Sequence, residues 1–315
     1  MSKLCVNLGI KARINDVRKL LIYEEKIIFR FSAVSGSNCK AMELSSFRQY
    51  IRQLPTTEPF PILFFGHGSP MNAIEQNEFT EGWKESIRNL PKPAAILCVS
   101  AHWETLGTQV TAMEKPVTIH DFGGFPKALF EVQYPASGSP ELVEEVQALI
   151  TQTTVMPDEK WGLDHGAWSV IRNLYPKADI PVVQLSLDYT RSPQYHYELA
   201  KELSALRRRG ILVIGSGNIV HNLSLLDWQH TNGGYDWAEE ANTKFRDLIV
   251  RDEHATLINY RSLGQAFRLA VPTPEHYLPL LYTLSMKNEE EKIRLFNDKL
   301  LMGSISMLSL KIGKD

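Results

Sequence analysis

Residues 61–71 read PILFFGHGSPM, and the rest of the chain is best read outward from them. The apolar run stops abruptly at Gly66-His67-Gly68-Ser69-Pro70. A continuous apolar run of this length predicts a buried strand covered on both faces. Glycine on each side of His67 frees the backbone and lets other groups come close, so the strand end presents one imidazole. Two further segments repeat the design. Residues 95–100 (AILCVS) run into Ala101-His102-Trp103, and residues 211–214 (ILVI) run through Gly215-Ser216-Gly217-Asn218 to His221-Asn222. In open α/β sheets, ligands gather outside the carboxyl ends of the strands. Three strand ends that each deliver a histidine therefore predict one shared metal site.

Helical and strand periods alternate around these segments. Phe79, Trp83, Ile87 and Leu90 share a helical face that Pro91-Lys92-Pro93 terminates. Residues 108–113 alternate as a strand. Residues 118–126 (TIHDFGGFP) predict a loop, because Gly123-Gly124 and Pro126 interrupt regular structure; such loops carry function more often than packing. Ser139-Pro140 opens a helix with Leu142, Val146 and Leu149 inward. Residues 162–166 (GLDHG) lead into a helix bearing Trp168, Ile171, Leu174 and Tyr175. Residues 181–187 predict a buried strand, and 195–208 an amphipathic helix closed by a basic turn and Gly210. A helix follows over 237–250. Thr273 is expected to cap a helix over 277–286, with Pro274 at its first position. Residues 304–312 (SISMLSLKI) are expected to form a closing strand.

The alternation predicts an α/β fold: a single three-layer α/β/α domain with helices on both faces of a central mixed, mostly parallel sheet. This domain is expected to span residues 42–315. Residues 1–41, basic and mildly apolar, are expected to form an extension with little packing.

Composition narrows the function classes. At 43% hydrophobic and 22% charged, the 315 residues match an ordinary soluble globular protein. A net charge of −2 with both signs interspersed gives no footprint for nucleic acid. No apolar run approaches the length of a membrane span, and the first residues lack the pattern of a secretory signal. Cys5, Cys39 and Cys98 form no C-x-x-C pair, which suits a reducing cytoplasm.

His67, His102, His165, His221 and His276 sit at turns or helix starts beside small or acidic neighbours, and His120 lies in the glycine-rich loop. His196, His230 and His254 are expected to be solvated. Imidazole suits Zn, Fe, Cu and Ni, and a cluster of neutral histidines with an open position can polarise an oxygen species. No His-Glu-x-x-His or Gly-x-Ser-x-Gly pattern occurs, and residues 215–218 lack the rest of a dinucleotide fingerprint.

GHGSPM (66–71), SAHW (100–103), HDFGGFP (120–126), LDHGAW (163–168), SGNIVHNL (216–223) and PTPEHYLPL (272–280) stand in order along the chain. Together they resemble the DODA-type class III extradiol dioxygenases, the 4,5-DOPA dioxygenase family of bacteria and plants. The resemblance implies a mononuclear non-haem metal, O₂, and a small aromatic diol whose catechol-type, DOPA-like ring is opened. Position by position it implies His67, His102 and His276 as metal ligands and His221 as a ligand, a base or both. His165 resembles the acid–base histidine, and His120 with Phe122 resembles a pair in the catalytic pocket. Trp103, Phe122, Phe125 and Trp168 are expected to wall the ring. The usual ferrous site has two histidines and one carboxylate. Here the set is all histidine, which suits Zn²⁺ as well as Fe²⁺, while Asp121, Asp164 and Glu275 lie nearby. The alternative is a zinc hydrolase using metal-bound hydroxide.

Overall fold

Eight strands make one sheet: β1 (Ile62–Gly66), β2 (Ala95–Thr105), β3 (Gln109–Thr111), β4 (Met156–Asp158), β5 (Val182–Asp188), β6 (Ile211–Gly217), β7 (Lys292–Phe296) and β8 (Ser309–Gly313). Their order is β4-β3-β5-β2-β6-β1-β8-β7. The computed structural model describes residues 58–314 and, as a separate unit, the antiparallel strands Leu4–Val6 and Lys40–Met42. The extension expected over residues 1–41 otherwise lies outside the described residues. Among the described residues, no helix is long and apolar enough to cross a membrane.

The central strands β5, β2, β6 and β1 run parallel. β8 pairs antiparallel with β1, β7 antiparallel with β8, and β3 antiparallel with β5. The sheet is mixed and mostly parallel, as the apolar runs imply.

The helices that cover it include α1 (Glu78–Ile87), α2 (Pro140–Leu149), α3 (His165–Leu174), α4 (Pro193–Lys201), α5 (Asp236–Val250) and α6 (Leu278–Ser285). Their starts are chemically marked. Asn77 and Thr80 form a reciprocal capping box on α1, Ser139 Oγ accepts from Leu142 N, and Asp164 accepts from Ala167 N. After α4 the chain tightens into 3₁₀ turns, Glu202–Arg209, and ends at Gly210 with φ 76°.

Successive side chains on a strand point to opposite faces, and this alternation sorts the core. Ile62, Phe64, Leu97, Val99 and Val213 pack with residues of α2, α4, α5 and α6. Leu63, Phe65, Ile96, Cys98, Leu212 and Ile214 pack with Phe79 and Trp83 of α1 and Trp168 and Ile171 of α3. Continuing the second set past the strand ends gives His67 on β1, Ser100 and His102 on β2, and Ser216 on β6. Three in-register strands thus point polar side chains at α3.

Several elements differ from expectation. β2 continues to Thr105, so His102 lies within the strand. β4 and β7 escaped detection because both are short and at sheet edges, with their residues largely open to solvent. Residues 304–312 divide into a two-residue strand, Ile305–Ser306, paired with Leu300–Leu301, and the sheet strand β8. Residues 304–310 are all buried, so no change of pattern marks the break. Thr273 does not cap α6; its hydroxyl donates to Glu275 Oε1, and Pro274 O accepts from both Tyr277 N and Leu278 N. His276 therefore sits in the turn before the helix. His196 is buried between Tyr282 Oη and Asp188 O, because α4 packs against α6. His254 is partly buried against Tyr197 Oη, whereas His230 is exposed.

A buried ion pair fastens the region near the start of β1. Arg207 donates to both carboxylate oxygens of Glu291, to Met286 O at 2.9 Å and to Phe60 O at 2.8 Å. Glu291→Ala leaves that guanidinium buried without its anion and is expected to destabilise the fold by about 3–5 kcal/mol. Urea unfolding measures this; an unchanged midpoint would contradict the anchoring role.

Candidate metal centre

His67 follows β1, His102 lies in β2, and His276 stands in the turn before α6. Each brings one candidate ligand nitrogen within 4.8 Å of the others. The Nε2 atoms of His67 and His102 are 3.2 Å apart. His276 reaches the group because its backbone lies across the end of β6. Asn218 N donates to His276 O at 2.8 Å, and a Cβ on Gly217 would stand only 2.1 Å from that oxygen. A side chain at Gly217 would push the turn away. Gly68, with φ 61°, makes the tight exit behind His67.

Two further donor groups adjoin this one: His102, Asp121 and His165, and His221, Glu275 and His276. The rings of His221 and His276 stack at 3.5 Å with 9° between their planes. Asp121 spans two histidines. Its Oδ2 lies 3.3 Å from His102 Nδ1 and 2.9 Å from His165 Nδ1, while its Oδ1 accepts from His165 N. The second approach is a close charge contact rather than an aligned hydrogen bond.

Burial sets the protonation of these rings. It pushes His67 and His276 well below the ordinary histidine value of 6.5, and the neighbouring imidazoles push them further the same way. Burial and then His165 bring His102 down to about 3 against the opposing pull of Asp121. Burial, followed by His165, brings His221 to about 4. Burial raises Asp121, but its contacts with His165, and then with His102, leave it below the usual carboxylate value. At neutral pH the four rings are neutral and Asp121 is ionised.

An ionised carboxylate can only accept. The proton of His276 is therefore directed to Nδ1, 3.0 Å from Glu275 Oε1, and its Nε2 keeps a lone pair. His102 Nδ1 lies 3.3 Å from Asp121 Oδ2 without an aligned hydrogen bond. Neutral imidazoles with convergent lone-pair nitrogens fit a divalent transition metal.

Behind the histidines lies a buried polar knot. Asp164 accepts from Ser100 Oγ and Gln184 Nε2, both at 2.6 Å, from Trp161 Nε1 at 3.2 Å and from Ala167 N at 3.0 Å. Its pKa is raised by burial and then by Asp121, against the hydrogen bonds from Ser100 and Gln184. Through the cap on α3, Asp164 sets the position of His165. Sequence reasoning missed Ser100, Gln184 and Ser216. Their available signal was a polar residue inside an otherwise buried strand, as in VVQLSL.

Phe122 meets His165 edge-on at 5.4 Å and also contacts Phe125, Phe130, His120 and Trp168. His120 belongs to this aromatic group, with one ring nitrogen 3.0 Å from Val132 O, and to none of the three donor groups. Trp168 is buried, its Nε1 donating to Ile119 O. Trp103 stacks on Trp161 at 5.9 Å.

Residues 60–306 match the family described as the catalytic LigB subunit of aromatic ring-opening dioxygenase. The chain is 47% identical over 257 residues to a "4,5-DOPA dioxygenase extradiol" of Escherichia coli K12, covering 80% of this chain and 94% of that protein. It is 36% identical over 255 residues to a protein of the same name from Beta vulgaris, covering 79% of this chain and 94% of the other. A crystal structure of an uncharacterized Escherichia coli K12 protein superposes with a TM-score of 0.71 at 43% identity. It covers 81% of this chain and all of the other.

The depressed histidines carry a pH dependence. Unfolded histidines take up protons near 6.5, whereas His102 and His221 in the folded protein wait until about 3 and about 4. The unfolded state thus binds more protons below 6.5, so stability is full above that value and falls as pH drops toward the folded values. Metal-free protein is expected to lose stability steadily from about pH 6.5 to about pH 4 in denaturant titrations. A flat profile across that window would contradict the burial of neutral rings.

Proposed function

This chain belongs to the LigB family of aromatic ring-opening dioxygenases and is an extradiol dioxygenase; from that premise we propose a DOPA-like catechol as its substrate and His67, His102 and His276 as its metal ligands. The observation that carries the ligand assignment is the convergence of three neutral imidazoles, two buried and one partly buried, from three separate elements. The names of the bacterial and plant relatives support the substrate class. Family membership sets aside the zinc hydrolase.

Bound by these histidines, Fe²⁺ would supply O₂ activation and a charge to hold the catechol oxygens, whereas redox-inert Zn²⁺ would fit the same nitrogens without activating O₂. We therefore assign Fe²⁺ to the active form. His165 is assigned to take the proton of a ring hydroxyl and later return it. Asp121, 2.9 Å from its Nδ1, stabilises the resulting imidazolium. His221, held near pKa 4, is a poor proton acceptor at neutral pH and is assigned to the metal side, as a further ligand or as the support stacked on His276. Phe122 and Phe125 supply the aromatic wall beside His165, with His120 behind them. Trp103 has its stacking partner in Trp161 and is assigned a supporting place at the pocket's edge. A cytoplasmic location is supported by the buried free thiol of Cys98.

Protein loaded anaerobically with Fe²⁺ and then given O₂ and L-DOPA or a simple catechol is expected to form a yellow, ring-opened semialdehyde with matching O₂ uptake. Absence of both with every catechol tried would overturn the substrate reading.

His276→Ala is expected to weaken Zn²⁺ and Fe²⁺ binding by about 10-fold or more, given that losses of this size follow even from changes behind the ligands. Equilibrium metal titration decides this. Binding as tight as in the parent protein would remove His276 from the ligand set.

A further inference from the structure

We propose that Ser216 is a positioning residue that locks His67 in its Nδ1–H tautomer and so turns the Nε2 lone pair of His67 toward the metal centre. This rests on the assignment of His67 as a ligand, and it follows from counting protons. Ser216 lies on β6, fully buried, on the sheet face that α3 covers. Its Oγ is 2.6 Å from the carbonyl oxygen of Gly166 and 3.0 Å from His67 Nδ1. A carbonyl oxygen can only accept, and a hydroxyl has one proton to give. That proton is committed to Gly166. Toward His67, Ser216 can therefore act only as acceptor, and the hydrogen between them must belong to Nδ1.

The opposite tautomer fails on the same count. With the proton on Nε2, the Nδ1 lone pair would face a serine lone pair at 3.0 Å between two buried residues. His276 is oriented by a carboxylate, which accepts unconditionally. His67 is oriented by a hydroxyl, which accepts only because Gly166 holds its proton. Gly166 directly follows His165, so a single hydroxyl joins the ring of one proposed ligand to the first turn of the helix that carries the proposed acid–base group.

The experiment reads the tautomer itself, without activity. In long-range ¹H–¹⁵N spectra of metal-free protein at neutral pH, assigned by the loss of signals in His67→Gln, the Nδ1 of His67 is expected to be protonated and Nε2 bare. Ser216→Ala removes the acceptor and is expected to shift His67 toward the Nε2–H form. It should also weaken Zn²⁺ binding by about 10-fold or more. Ser216→Thr, which keeps the hydroxyl, is expected to restore both. Protonation at Nε2 in the parent protein overturns the proposal without any variant, so failure of Ser216→Ala to fold leaves the decision intact. An unchanged tautomer in folded Ser216→Ala overturns it as well, as does Zn²⁺ affinity within about twofold of the parent. If Zn²⁺ does not bind the parent at all, the ligand assignment of His67 falls, and the spectra still judge the serine.

Discussion

Everything at the site depends on the register of three parallel strands. Phe65 stands opposite Ser216, and Ser216 opposite Ser100, so β1 and β6 end level with each other while β2 runs on to Thr105. The side-chain period of two then places His67, Ser216, Ser100 and His102 on one face. A slip of one residue in any of the three would send its polar side chains to the face that holds Leu278, Leu280 and Leu281 of α6. The apolar residues that precede them make such a slip costly, because Phe65, Ile214 and Cys98 would exchange faces at the same moment. The core thus specifies the site, though it contributes no chemistry to it.

Register alone would leave bare polar groups in a dry interior, where each unpaired one is costly. The structure answers with a closed set of hydrogen bonds. Asp164 draws donors from β2, β5 and the first turn of α3, while Ser216 draws β6 to that same turn. A carboxylate with four donors can remain buried, and in doing so it fixes where α3 begins. His165 is the first residue of that helix. The place of His165 is therefore set by the buried groups behind it.

What the sequence made legible follows from burial. β1 was readable because all five of its residues are buried, and α2 because Ser139-Pro140 states its start in one dipeptide. His67 was readable because the glycines on both sides of it mark an abrupt turn after β1. Elements stabilised from a distance were not. The edge strands β4 and β7 carry no apolar run, and the turn at Thr273 follows from a side chain bonding to Glu275 rather than to the helix. His196 looked solvated because its burial comes from α6, more than eighty residues further along the chain. Ser216 and Gln184 looked like incidental polar residues in apolar strands, since only the assembled sheet shows what they touch.

The all-histidine set looked like a departure from a ferrous site, because it lacks a carboxylate. The geometry relocates that charge. Asp121 and Glu275 stand outside the group of His67, His102 and His276, and each instead faces the Nδ1 of a ring within it. A carboxylate accepting from the far nitrogen makes the near nitrogen a better electron donor and holds the ring's orientation. It also keeps negative charge one imidazole away from the cation. Coulomb attraction falls only inversely with distance and is strengthened by a dry interior, so a carboxylate in that position still offsets much of the charge on a divalent ion. Three proposed neutral ligands backed by two carboxylates would thus approach the electrostatics of a site with a carboxylate ligand. His276, the third of them, is oriented by Glu275 from behind and stacked by His221 on its face.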